Sequence, residues 1–113
     1  MDSVHIISPR KITLQDLRPI LSQHWAVEDT AYGDLVVRGS SSRVYISNDP
    51  NPEPPETCSL ILEHSGGLEL LKQVLEVIGN DPGITIDNEF GTVLPGDAFV
   101  ARLRFEPDWD WRT

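Results

Sequence analysis

The chain is short of almost everything that marks catalysis. It has one cysteine, Cys58, so no internal disulfide forms and no cysteine pair offers a metal-site spacing. Its three histidines, His5, His24 and His64, stand far apart and in no H-x-H or H-x-x-x-H pattern, which leaves a zinc site without a ligand set. No apolar run approaches the roughly 20 residues of a membrane-spanning helix. The start, Met1-Asp2-Ser3-Val4-His5-Ile6-Ile7, has neither the basic stretch nor the long apolar stretch of a secretory signal, so cytoplasm is the expected compartment. Gly66-Gly67 is not followed by the Lys-Ser/Thr of a phosphate loop and reads as a helix start. Asp87 and Glu89 lack the D-x-D-x-D-G order of a calcium loop. No catalytic residue, metal ligand set or cofactor is therefore expected.

Positive charge is also scarce, and unevenly so. The net charge is −9. Residues 1–48 hold five acids (Asp2, Asp16, Glu28, Asp29, Asp34) and five bases (Arg10, Lys11, Arg18, Arg38, Arg43) and are neutral. Residues 49–113 set thirteen acids against Lys72, Arg102, Arg104 and Arg112 and carry the whole excess. Such a surface repels phosphate backbones, which argues against nucleic acid, and steers basic proteins toward it. The same charge also serves plain solubility.

What is present is the patterning of one domain, residues 1–113. Val4–Ile7 is β-branched and apolar and predicts a strand that Pro9 ends. Thr13-Leu14-Gln15-Asp16 predicts a capping box, and Leu14, Leu17, Leu21 and Trp25 then recur at helical spacing with Ile20 on the flank. Pro19 has no N–H for position 15, so the helix should bend there or begin late. Residues 34–39 and 43–48 predict a hairpin around Gly39-Ser40-Ser41-Ser42. Asn48 to Glu56 holds four prolines and predicts an exposed, stiff, partly polyproline loop. Cys58–Glu63 predicts a more buried strand.

The clearest helix runs from Leu68 to Ile78, with Leu68, Leu71, Leu75 and Ile78 on one face, Val74 beside them and Gly79 as its stop. Residues 84–87 and 92–94 predict short strands. Pro95-Gly96-Asp97 starts a last helix, with Asp97 as N-cap, Phe99, Val100 and Leu103 inward, and Pro107 as its stop. The whole predicts an α+β two-layer sandwich: a mainly antiparallel sheet of 5–6 strands, two main helices on one face, and a short C-terminal helix.

Asp87 and Glu89 flank Asn88 after a strand. Paired acids there either set a turn, hold a divalent metal, or act as acid and base with a histidine. The stretch from Asp87 to Arg112 gathers Asp87, Glu89, Asp97, Glu106, Asp108 and Asp110 with Phe90, Phe105, Trp109 and Trp111. Tryptophan is enriched in binding hot spots, and an acidic rim steers a basic partner. The alternative for Trp109 and Trp111 is that they fold back and complete the core. The six acids and two tryptophans are the candidate partner-binding residues.

The run from Ile86 to Val100, of the form D-N-x-x-G-T-V-L-x-G-x-x-F-V, with the ending Pro107-Asp108-Trp109-Asp110-Trp111, resembles a pattern in small uncharacterised bacterial proteins. It covers about the last quarter of the chain and implies no function. In size, acidity and lack of catalytic residues the chain is also similar to immunity proteins of bacterial polymorphic toxin systems. That resemblance implies a non-catalytic inhibitor whose acidic C-terminal half covers a basic toxin domain. The other expectations are a homodimer or other oligomer paired through the aromatic tail, and a small metal-dependent hydrolase using Asp87, Glu89 and a histidine.

Overall fold

The computed structural model describes residues 3–52 and 54–111. Met1, Asp2, Glu53 of the proline-rich loop, and Arg112 and Thr113 of the tail lie outside the described residues. The chain runs β1 (Ser3–Ser8), α1 (Leu14–Ser22), β2 (Ala26–Asp29), β3 (Leu35–Arg38), β4 (Arg43–Asn48), β5 (Cys58–Ser65), α2 (Glu69–Ile78), β6 (Thr85–Asp87), β7 (Val93–Pro95) and α3 (Gly96–Phe105). The strands form one antiparallel sheet in the order β2-β3-β4-β5-β1-β6-β7.

Strand alternation divides this sheet into two unlike faces. Val4, Ile6, Val37, Val44, Ile46, Leu60, Leu62 and Ile86 share one face and are almost wholly buried. The three helices cover that face side by side: α1 lies over β2–β4, α2 over β4 and β5, and α3 over β6 and β7. Each buried Leu or Ile is worth about 1.5–3 kcal/mol, so this layer is the main source of stability. The opposite face carries Ser3, His5, Ile7, Tyr45, Ser47, Ile61 and Glu63, all half-buried. The structure is thus an α+β two-layer sandwich, and all three helices share one layer.

Seven strands replace the expected five to six. β2 escaped notice because its four residues show almost no apolar alternation: only Val27 packs inward, and pairing to β3 makes it a strand. Its start also removes Trp25 from the first helix. That helix ends at Ser22, and Trp25 follows it with its N–H donated to the Leu21 carbonyl at 3.0 Å, half-buried against the core. Thr13 is the N-cap of α1. Its hydroxyl accepts from the Asp16 N–H at 3.1 Å and the Asp16 carboxylate accepts from the Thr13 N–H at 3.1 Å. The helix begins on time and continues through Pro19. Gln15 and Pro19 are both exposed, so water can take the carbonyl that proline cannot serve.

In α2 the buried residues are Leu70, Leu71, Val74 and Leu75. Leu68 is the N-cap residue and is exposed, so Leu70 takes its place, while Leu71, Val74 and Leu75 are buried and Ile78 packs against the core as the spacing predicts. The N-cap of α3 is Pro95, and Asp97 lies inside the first turn, where its carboxylate meets the positive end of the helix. Tertiary contact sets that start. The Gly96 N–H donates to the Ile84 carbonyl at 2.9 Å, and a Cβ on Gly96 would sit 2.1 Å from the Gly79 carbonyl oxygen and 2.7 Å from that of Asp81. The start of α3 therefore seats against the end of α2 only because position 96 has no side chain. The loop from Asp49 to Thr57 is mostly exposed, and its far end closes in a turn where the Thr57 N–H donates to the Pro54 carbonyl at 3.0 Å.

Two measurements check these contacts. Gly96→Ala should cost about 3 kcal/mol in urea unfolding, from backbone collision, and Gly91→Ala about 1–2 kcal/mol, from a φ of +102° with open space around it. The capping box concerns charge. Hydrogen bonds to Asp16, first from the Thr13 backbone and then from its side chain, hold its carboxyl below the ordinary 3.8. Its contribution is therefore complete above that value and lost as the pH falls through the lowered one. The stability gap between the native protein and Asp16→Asn should be constant near neutrality and close as the pH falls through that lowered value.

Candidate functional site

The turn that follows β6 is organised by one side chain. Asn88 is completely buried. Its Oδ1 accepts from the Phe90 N–H at 2.9 Å and the Thr92 N–H at 3.0 Å, its own N–H donates to the Thr92 carbonyl at 3.1 Å, and its Nδ2 donates to the Trp111 carbonyl at 2.7 Å. Three of the four hydrogen bonds open to a carboxamide are thereby made. Around it, the Asp87 carboxylate accepts from the Glu89 N–H at 2.7 Å, Glu89 takes a φ of +64° and Gly91 a φ of +102°. The turn is read locally from Asp, Asn and Gly, but the bond to Trp111 spans 23 residues.

That bond brings in the tail. Trp111 is 8 % exposed and meets Phe99 edge-on at 6.3 Å between ring centroids. Trp109 is half-buried, 5.2 Å from Phe99, with the Arg102 guanidinium 3.9 Å over its own ring. Arg102 is in turn paired with Glu106 at 3.2 Å. Trp111 thus belongs to the core and is withdrawn as a partner anchor, because its apolar area is already covered by Phe99 and its carbonyl by Asn88. Trp109 keeps only a partial surface. Asn88, Gly91, Gly96 and Phe99, with the two tryptophans, account for the spacing of the C-terminal run as a structural unit.

Within the C-terminal stretch the aromatic groups that stay in water are others, while Tyr32, between β2 and β3, is exposed far from it in sequence. Phe105, at the end of α3, is 82 % exposed and Phe90 is 46 % exposed. The sequence places Phe105 in the acidic aromatic stretch but not among the candidate partner-binding residues, although helical phase marks it as exposed. At about 100° per residue it stands opposite the mean direction of Phe99, Val100 and Leu103.

Of the acids, Asp87 and Glu89 flank Asn88 and Asp110 precedes Trp111, so the Asn88–Trp111 bond gathers these three, with Asp108 and Glu106 next along the tail. Asp97 is not part of the group. It lies at the far end of α3, about 13 Å of helix rise from Glu106. Glu106 is held by Arg102, while Asp108, exposed, makes no ion pair with the described residues.

Glu89 meets His5 after all. One carboxylate oxygen lies 3.0 Å from His5 Nε2 and the other takes a short hydrogen bond from the Ser3 hydroxyl. The carboxylate stands between hydroxyl and imidazole, whereas base activation of a serine requires the imidazole between the other two. The cluster ties β1 to the β6–β7 turn. Among the described residues no group of three or more His, Cys, Asp or Glu side chains is placed to hold a metal ion. Cys58 donates its S–H to the Ile12 carbonyl at 3.3 Å. No helix of the described chain is long and apolar enough to cross a membrane.

Comparison with protein-family models, with curated proteins and with solved structures finds no match for this chain.

Asn88 generates the test of this geometry. Asn88→Asp replaces the donor facing the Trp111 carbonyl with an acceptor and puts a charge in a dry site. It should lower stability by about 3 kcal/mol at pH 7 and shift tryptophan emission to the red. Burial raises the pKa of the introduced carboxyl in the folded state, so the deficit should shrink as the pH falls toward about 4, where protonation restores a donor.

Proposed function

We propose that this chain is a non-catalytic binding protein that docks its acidic C-terminal end on a basic protein surface, as an immunity protein does when it neutralises a cognate toxin domain. The reading rests first on Phe105. An aromatic ring that is 82 % exposed, next to Glu106 and three residues from Asp108, has no role inside the fold. Burying such a ring in a partner's pocket is the usual source of a hot spot, and the surrounding carboxylates supply the steering charge. Asp87, Glu89, Asp108 and Asp110 form the rim, and Trp109 lends the part of its ring not covered by Arg102 and Phe99. Trp111 acts from behind, by holding the tail in one conformation so that little ordering is lost on binding.

The test is co-expression with the C-terminal domain encoded by the neighbouring gene. The reading expects that domain to kill cells alone, to be tolerated with this chain present, and to co-elute with it. Phe105→Ala should weaken the complex by about tenfold or more with the fold intact. Asp108→Asn should lower mainly the association rate, and that rate should fall steeply between about 50 and about 500 mM salt. An acidic partner or a salt-indifferent rate would remove the electrostatic half of the reading. Self-association that Phe105→Ala abolishes would put a second copy of this chain where the partner is proposed.

A further inference from the structure

The turn between β3 and β4 stands apart from the acidic end in its chemistry. Its sequence is Arg38-Gly39-Ser40-Ser41-Ser42-Arg43, and strand register places Arg38 and Arg43 directly opposite each other. Like charges in that position oppose folding. Glu28 offsets one of them: it holds Arg38 Nη2 at 2.8 Å, and that contact is the main reason its own carboxyl is lowered. Arg43 makes no ion pair with the described residues, although the Glu28 charge also reaches it. A cleft of about 340 Å³ opens here, lined by the two arginines, Gly39, the three serines of the turn and Ser65, with no acid in its wall.

The cleft is also built in advance. The Gly39 N–H donates to the Ser42 carbonyl at 2.8 Å and closes the turn. Gly66, at a φ of +83°, lies so close behind it that a Cβ there would be 2.6 Å from the Ser41 carbonyl oxygen, so the chain after β5 braces the turn. Ser40 and Ser41 are exposed and make no hydrogen bond to the described residues, which leaves their hydroxyl and backbone donors available. Tyr45 shows the local field: hydrogen bonds from Ser65 and then Arg43, with the Arg38 charge added, hold its phenol below the usual value. Groups that favour negative charge on a phenol oxygen favour it on a ligand oxygen.

We propose that this cleft binds a phosphate-type oxyanion, inorganic phosphate or a small phosphate monoester, between Arg38 and Arg43. The guanidinium forks match phosphate oxygens two at a time, and the Ser40–Ser42 donors cover the remaining ones. The bound dianion would remove the repulsion that the register builds in. The site is independent of the proposed partner surface and uses none of its residues.

The experiment is a backbone-amide NMR titration of the full chain with inorganic phosphate, against chloride at matched ionic strength. Saturable shifts confined to Gly39–Arg43 and Ser65 are expected, with a Kd of about 1 mM or tighter. Arg43→Gln should weaken binding about tenfold or more, Arg43→Lys less, and Arg104→Gln, on α3, not at all. In phosphate-free buffer Arg43→Gln should melt at or above the native temperature, because it removes a like-charge pair, and its melting should no longer respond to phosphate. Glycerol 3-phosphate binding more tightly than phosphate assigns a monoester; equal binding assigns the free ion. Shifts that never saturate, that chloride reproduces, or that survive Arg43→Gln overturn the site.

Discussion

A buried carboxamide at position 88 is the constraint on which the C-terminal third depends. A polar group sealed from water costs free energy unless its hydrogen bonds are made, and Asn88 makes them to two backbone amides of its own turn and to the carbonyl of Trp111. The first two bonds shape the hairpin between β6 and β7. The third fixes where the chain's end must lie. Once Trp111 is held there, its ring and that of Trp109 close over Phe99, and Arg102 closes over Trp109. Gly96 admits the start of α3 against Gly79 and so allows Phe99 to reach that position. A short edge of the sheet with only three residues in each of its last two strands is thereby made part of the core.

The arrangement leaves the molecule lopsided. Helices cover one face of the sheet, and the other face is a mosaic of serines, half-buried aliphatics and charged groups. The register also sends two turns to the same end of the sheet. Arg43 stands opposite Ser65, Ser3 opposite Glu63, and His5 opposite Asp87, so the serine-arginine turn and the Asn88 turn rise from one side, about four strand spacings or 19 Å between their centres. One end of the domain thus carries a basic cleft beside an acidic, phenylalanine-bearing rim. The proposed steering of a basic protein is long-range and the proposed capture of an oxyanion is local, so the two readings are compatible in a chain of net charge −9.

Much of this was legible without coordinates. The stripe Leu14, Leu17, Leu21 and the Thr13–Asp16 box define α1, and Phe99, Val100 and Leu103 define the inner side of α3. Residues 34–48 read as a hairpin because a polar turn separates two β-branched runs. The misreadings have a common cause. β2 is a strand through its partner β3, not through its own residues. The first turn of α2 depends on where the helix starts, and with Leu68 at the N-cap it is Leu70 that enters the core. Asp97 resembles an N-cap until the contact between Gly96 and Gly79 begins the helix earlier.

The candidate site divides the same way. Charge and composition are sums over the chain, so the acidity of its second half and the presence of six acids and five aromatic rings from Asp87 to Trp111 follow from the residues alone. Which of those rings meets water does not. Phe105 is outside by its phase on α3, but Trp111 is inside because the Asn88 side chain reaches a carbonyl 23 residues away, and the pull of that bond belongs to neither segment by itself. Periodicity and turn chemistry act over a few residues and are carried by the sequence. The pairing of distant groups, and with it the choice of exposed surface, exists only once the chain has closed on itself.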